Sequence, residues 1–146
     1  MSIIVLGTVA LDSVKTPFGR RKELLGGSAA HFSMAARLFT GVNLIAIVGS
    51  DFPRRHISFL RSKGLNLSSL IMDKGKTFRW EGEYQGDLNS ALTLNTQLGV
   101  LSNSSYCLSP LISENASSLK DAPGYPDRHW LRIYSRSCAA LRRPAV

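Results

Sequence analysis

"ELLGGSAAHFSMAARLF", residues 23–39, sets two adjacent glycines and a serine directly before a nearly all-apolar run. Gly26 and Gly27 have no Cβ, so the backbone can adopt unusual φ angles there. It can do so in a plain tight turn or in a close approach to a ligand. Ser28 is a favoured helix-capping type, and the apolar run after it predicts a helix over 29–39. Just upstream, "SVKTPFGRRKELL" (13–25) is polar and broken by Pro17 and Gly19, which suits a hairpin or edge ribbon.

Two flanking runs decide the fold class. "IIVLG" (3–7) and "NLIAIVG" (43–49) are short, rich in β-branched residues and ended by glycine, as strands buried in a parallel sheet are. Residues 51–64, "DFPRRHISFLRSKG", predict a second helix with Asp51 as its cap and Gly64 as its stop. Ile57, Phe59 and Leu60 are its expected buried stripe, in preference to Phe52, His56 and Lys63. Strand, ribbon, helix, strand, helix is the opening of an α/β fold with a parallel sheet.

The period then changes. In "TFRWEGEY" (77–84), Phe78, Trp80 and Tyr84 alternate with Arg79, Glu81 and Glu83, the pattern of a half-exposed antiparallel strand. "LTLNTQL" (92–98) alternates likewise, with Leu92, Leu94 and Leu98 on one face. A small antiparallel sheet should therefore project from the α/β body, and together with the 13–25 ribbon it could form a lid.

Composition narrows the function classes. A chain of 146 residues with 44% hydrophobic and 19% charged residues suits one soluble globular domain. No apolar run approaches the roughly 20 residues of a membrane span. "MSIIVLGTVALD" lacks a basic leader, so a cytoplasmic protein is expected. The net charge of +8 favours polyanions. However, the basic residues are scattered in small groups (Arg20–Lys22, Arg54–Arg55, Arg142–Arg143) without an aromatic ladder, so nucleic acid is not the expected partner. Cys107 and Cys138 have no Cys or His partner at metal-ligand spacing, and no metal site is expected from them.

From Ser102 the chain becomes rich in Ser, Arg and Pro and loses clean periodicity. The expected organisation is a folded part over 1–101 and an atypical, poorly structured tail over 102–146, the latter out of frame or otherwise foreign.

Taken in order, "GTVALD", the ribbon, "GGSAAH" opening a helix, "NLIAIVGSD", "LRSKGLNLSSL" and "GKTFRWEGEY" resemble the N-terminal half of the ribokinase-like, or PfkB, carbohydrate kinases. The resemblance spans residues 3 to about 101. It implies a parallel sheet flanked by helices with a small antiparallel β lid, and ATP- and Mg²⁺-dependent phosphorylation of a hydroxyl on a sugar or nucleoside-like substrate. It also implies a substrate site between body and lid, and a homodimer formed through the lid.

Carried over by position, Asp12 would accept hydrogen bonds from substrate hydroxyls, since a carboxylate offers two acceptor oxygens; otherwise it is a turn aspartate after the first strand. Gly26 and Gly27 would let backbone approach the substrate. His31 stands where many relatives carry a substrate-contacting asparagine, and it either lines the pocket or is a satisfied helix histidine. Arg79 and Tyr84 could reach substrate from the lid, or be a solvated cation and a core aromatic.

Relatives carry their catalytic aspartate in a C-terminal G-A-G-D helix start. In this sequence the only glycine after residue 101 is Gly124, and the only acids there are Glu114, Asp121 and Asp127. No catalytic residue is therefore assigned. The chain is expected to keep the substrate side of a kinase and to bind ATP and Mg²⁺ poorly by itself; the alternative is an inactive sugar-binding or regulatory paralogue. "GKT" at 75–77 lacks the earlier glycine of a phosphate loop, and S-x-x-K at 117–120 lacks its companion motifs.

Overall fold

The computed structural model of the protein describes residues 2–86 and 88–103. Both cysteines, the S-x-x-K match and nearly all of the predicted tail lie outside them. The elements are β1 (Ser2–Leu6), β2 (Ala10–Thr16), β3 (Gly19–Gly26), α1 (Ser28–Ala36), β4 (Gly41–Gly49), α2 (Arg54–Ser62), β5 (Leu70–Asp73), β6 (Arg79–Tyr84) and β7 (Ala91–Gln97), followed by a 3-10 turn at Gly99–Asn103.

β1, β4 and β5 form a parallel sheet in the order β1-β4-β5. As the central strand, β4 is flanked on both edges and is buried continuously from Leu44 to Gly49. This explains its unbroken apolar run. Val5, Val42, Leu44, Ala46 and Val48 pack with Ala29 and Ala30 of α1, with Phe52 and Leu60, and with Val9 and Leu11 at the start of the ribbon. Gly64, at φ 81°, closes α2, and Leu65 N–H returns to the Leu60 carbonyl at 3.3 Å, a glycine-dependent helix end.

A second sheet runs in the order β3-β2-β6-β7. It holds the ribbon and both alternating strands, as the lid expectation requires, but it is mixed rather than antiparallel because β2 pairs with β6 in parallel. The reason is topological: β2 follows β1 and β6 follows β5, both strands of the parallel sheet, so both leave the body in the same direction. Leu11 N–H donates to the Phe78 carbonyl at 2.9 Å where the two strands meet.

Four local expectations need correction. Ser28 is the first helical residue of α1, not its cap; Gly27 occupies that position, and the Ser28 hydroxyl lies 3.1 Å from the Thr8 hydroxyl. Asp51 does not cap α2, whose capping position is Pro53, because its carboxylate is committed to Thr77 and Arg79. In the second helical stretch, Phe52 is buried and Phe59 is 41% exposed, because residues 51–53 precede the helix and turn Phe52 inward. β7 is exposed at every position, so Leu92, Leu94 and Leu98 do not form a buried face.

Candidate functional site

The turn between β3 and α1 is built by Thr8. Its carbonyl accepts from Ala29 N–H at 3.0 Å, and its hydroxyl accepts from Ser28 N–H at 3.0 Å. The opening N–H groups of α1 are thereby satisfied by a residue twenty positions upstream. Gly27 makes this fit possible: it sits at φ 93°, and a Cβ there would come within 2.4 Å of the Thr8 carbonyl oxygen.

Gly26 has a different neighbour. A Cβ on it would lie 1.9 Å from Asp12 Oδ2 and 2.4 Å from Asp12 Cγ, so the carboxyl group lies directly across the glycine Cα. Asp12 pairs with Leu24 on one side and with Trp80 on the other. Burial pushes the Asp12 carboxyl above its usual range, and the nearby His31 partly offsets this. The structure thus brings Asp12, Gly26 and His31 together beside the opening of α1, with Gly27 fixing the turn. His31 is exposed, and its backbone N–H donates to the Gly27 carbonyl at 3.2 Å.

Arg79 is not a free lid cation. Its guanidinium donates to Asp51 Oδ2 at 2.9 Å and to Glu23 Oε1 at 3.3 Å. Asp51 Oδ1 also accepts from the Thr77 N–H at 2.7 Å and hydroxyl at 2.8 Å. Burial would raise the Asp51 carboxyl, but the Arg79 hydrogen bond, the two Thr77 donations and the Arg79 charge together hold it down at about 2. Glu23 sits at φ 53° where the β2–β3 register shifts, and His56 Nε2 donates to its carbonyl at 2.9 Å. Body and mixed sheet are thus pinned together next to Asp12.

Trp80 was not singled out by sequence and neither was Thr8. Trp80 lies over Gly82, where a Cβ would come 2.1 Å from its Cη2, and its indole N–H donates to Thr93 Oγ1 at 3.1 Å. A glycine two positions from a tryptophan in a strand was the available signal, because the two share a face. Ser13, Arg20, Arg79, Trp80, Glu81 and Asn95 are among the residues that line a polar cleft of about 180 Å³ on the mixed sheet. Arg20 and Glu81 are ion-paired there, and none of the four sequence-predicted site residues borders it.

The first N–H groups of α1 are taken by Thr8, and no group of three His, Cys, Asp or Glu among the described residues could hold a metal ion. No helix among the described residues is long and apolar enough to cross a membrane.

No family model matches the chain. Over 88 residues, 60% of this chain, it is 33% identical to the cytidine kinase of Thermococcus kodakarensis and covers 31% of that protein. Among solved structures, the nucleoside kinase of Methanocaldococcus jannaschii, an archaeal member of the ribokinase family, superposes with a TM-score of 0.60 at 23% identity. That match covers 70% of this chain and 38% of the other. The nucleoside kinase of Burkholderia thailandensis in complex with inosine gives a TM-score of 0.63 at 17% identity, over 73% of this chain and 38% of that one. The ribokinase of Cryptococcus neoformans in complex with ADP gives 0.57 at 24%, over 66% and 34%. The described residues have the ribokinase-like fold, and the chain spans about a third of the length of these relatives.

Proposed function

We propose that this chain forms the substrate side of a ribokinase-like phosphotransferase and receives the hydroxyl-bearing ring of a sugar or nucleoside between Asp12 and the opening of α1. The observation that carries the reading is the Asp12 carboxylate lying across Gly26 beside His31. An ionised carboxylate has two acceptor oxygens and suits two neighbouring hydroxyls, and the bare glycine surface lets a ring come close to the backbone. His31 at the rim supplies one further ring nitrogen as donor or acceptor. Similarity to cytidine, nucleoside and ribose kinases supports the same substrate class.

ATP and Mg²⁺ would supply the transferred phosphoryl group and the charge neutralisation that such transfer requires. The role assigned to the described residues is binding and orienting the acceptor. Titration calorimetry with a panel of nucleosides and sugars tests it. Wild-type protein binds at least one member and Asp12→Ala abolishes the heat; binding unchanged in Asp12→Ala refutes the site.

The sequence contains no G-A-G-D motif, which favours a second, narrower reading in which the 146-residue chain binds without phosphorylating. A coupled assay of ATP consumption over the same panel separates the two, with turnover above blank excluding the narrower one. A cytoplasmic location and pairing of two copies through the mixed sheet complete the proposal; the uniformly exposed β7 supports the latter.

A further inference from the structure

We infer that Trp80 is the platform on which the planar base of a nucleoside stacks, which makes it the residue that separates nucleosides from free sugars at this site. The inference rests on the reading of Asp12 as the hydroxyl-binding group and adds the second contact.

Asp12 and Trp80 are register partners in adjacent strands, so their side chains leave the same face of the mixed sheet from backbones about 4.8 Å apart. From there they diverge. The carboxyl group leans across Gly26 on the β3 side, while the indole leans across Gly82 and is tied to Thr93 on the β7 side. A ligand held by both must therefore carry hydroxyls at one end and a second group farther along the sheet. A nucleoside has that layout, with its diol on one ring and its base on another. A free sugar reaches the carboxylate and nothing beyond it.

The indole is also prepared for stacking. Gly82 supports one side of its benzo ring, the hydrogen bond to Thr93 satisfies its N–H and fixes its rotation, and the side chain is only half-buried. Little conformational freedom is left to lose on binding, which is the condition under which an aromatic surface contributes most. Leu24, the other register partner of Asp12, is 40% exposed and adds apolar surface to the same face.

The test uses the 146-residue protein with Trp130→Phe, so that Trp80 is the sole tryptophan, titrated with cytidine, inosine and ribose. Nucleosides quench the emission of Trp80 saturably and ribose does not. By calorimetry, Trp80→Leu weakens nucleoside binding by about 10- to 100-fold, the range expected for one base–aromatic stack, and leaves ribose binding unchanged. Trp80→Phe, which retains a ring, recovers part of the loss and guards against a folding defect in the leucine variant. If nucleosides bind but Trp80→Leu leaves their affinity unchanged, or weakens ribose equally, the platform is refuted while the Asp12 site stands. If the parent protein binds neither nucleosides nor ribose, both readings fall.

Discussion

Replacing Arg79 with methionine keeps most of the side-chain length and removes the charge that holds Asp51. In the folded protein the Asp51 carboxyl sits at about 2, against 3.8 for a free aspartate. At 1.36 kcal/mol per unit, that gap corresponds to about 2 kcal/mol of stability. Because the folded value is the lower one, this contribution is present above pH 3.8 and is lost as pH falls toward 2.

Asp51 and Arg79 side chains are only 16% and 28% exposed, so solvent screens the pair less than it would a surface ion pair. Without Arg79, Asp51 retains the Thr77 donations and a distant Lys76 ammonium at 3.9 Å, while burial again favours its neutral form. Arg79→Met should therefore cost about 2–3 kcal/mol at pH 7 in urea denaturation, and less than about 1 kcal/mol near pH 2.5, where most of the wild-type contribution from Asp51 is already lost. A difference from wild type that stays the same at the two pH values would refute the argument. So would a loss at pH 7 below about 0.5 kcal/mol, the level of an ordinary surface substitution.

Three further outcomes are expected. Gly26→Ala places a methyl 1.9 Å from Asp12 Oδ2 and must displace the carboxyl group, so ligand heat in calorimetry disappears while circular dichroism still reports folded protein. Ligand affinity falls as pH drops through the raised Asp12 value, because the protonated acid loses acceptor capacity; Asp12→Asn, which cannot titrate, gives weaker binding that is flat across the same range. Leu94→Lys on the exposed β7 edge converts associated protein to monomer in sedimentation, and an unchanged sedimentation coefficient would rule out pairing through this edge.

What was legible in the sequence was what neighbouring residues decide. The buried strands, the paired glycines before α1 and the glycine stop at Gly64 all follow from local backbone chemistry. The misread residues have partners distant in the chain. Ser28 and Asp51 have the composition of caps, but Thr8 lies 20 positions from the first, and Thr77 and Arg79 lie 26 and 28 from the second. Those long-range partners took the hydroxyl and the carboxylate before a local N–H could. Alternation in 77–84 and 92–98 indicates both strands and which side chains share a face, but not whether either face is covered or in which direction the adjoining strand runs, so the exposure of β7 on both faces and the parallel β2–β6 pair are not legible in it. At the candidate site, Asp12, Gly26 and His31 are named by position in a motif, while Trp80 needs the register that sets it beside Asp12.

The parallel pairing of β2 with β6 gives the site a chronology. Asp12 belongs to the first strand of the mixed sheet to leave the ribosome, yet its neighbour Trp80 emerges 68 residues later, and Thr93, which steadies Trp80, later still. Until then Asp12 rides on a two-stranded ribbon, which has marginal stability in water. A nascent chain therefore holds Asp12 well before its neighbour on β6 exists, and any fragment ending before β6 would carry Asp12 without the strand that flanks it. If the proposed site binds its ligand, the onset of binding during synthesis reports completion of this sheet.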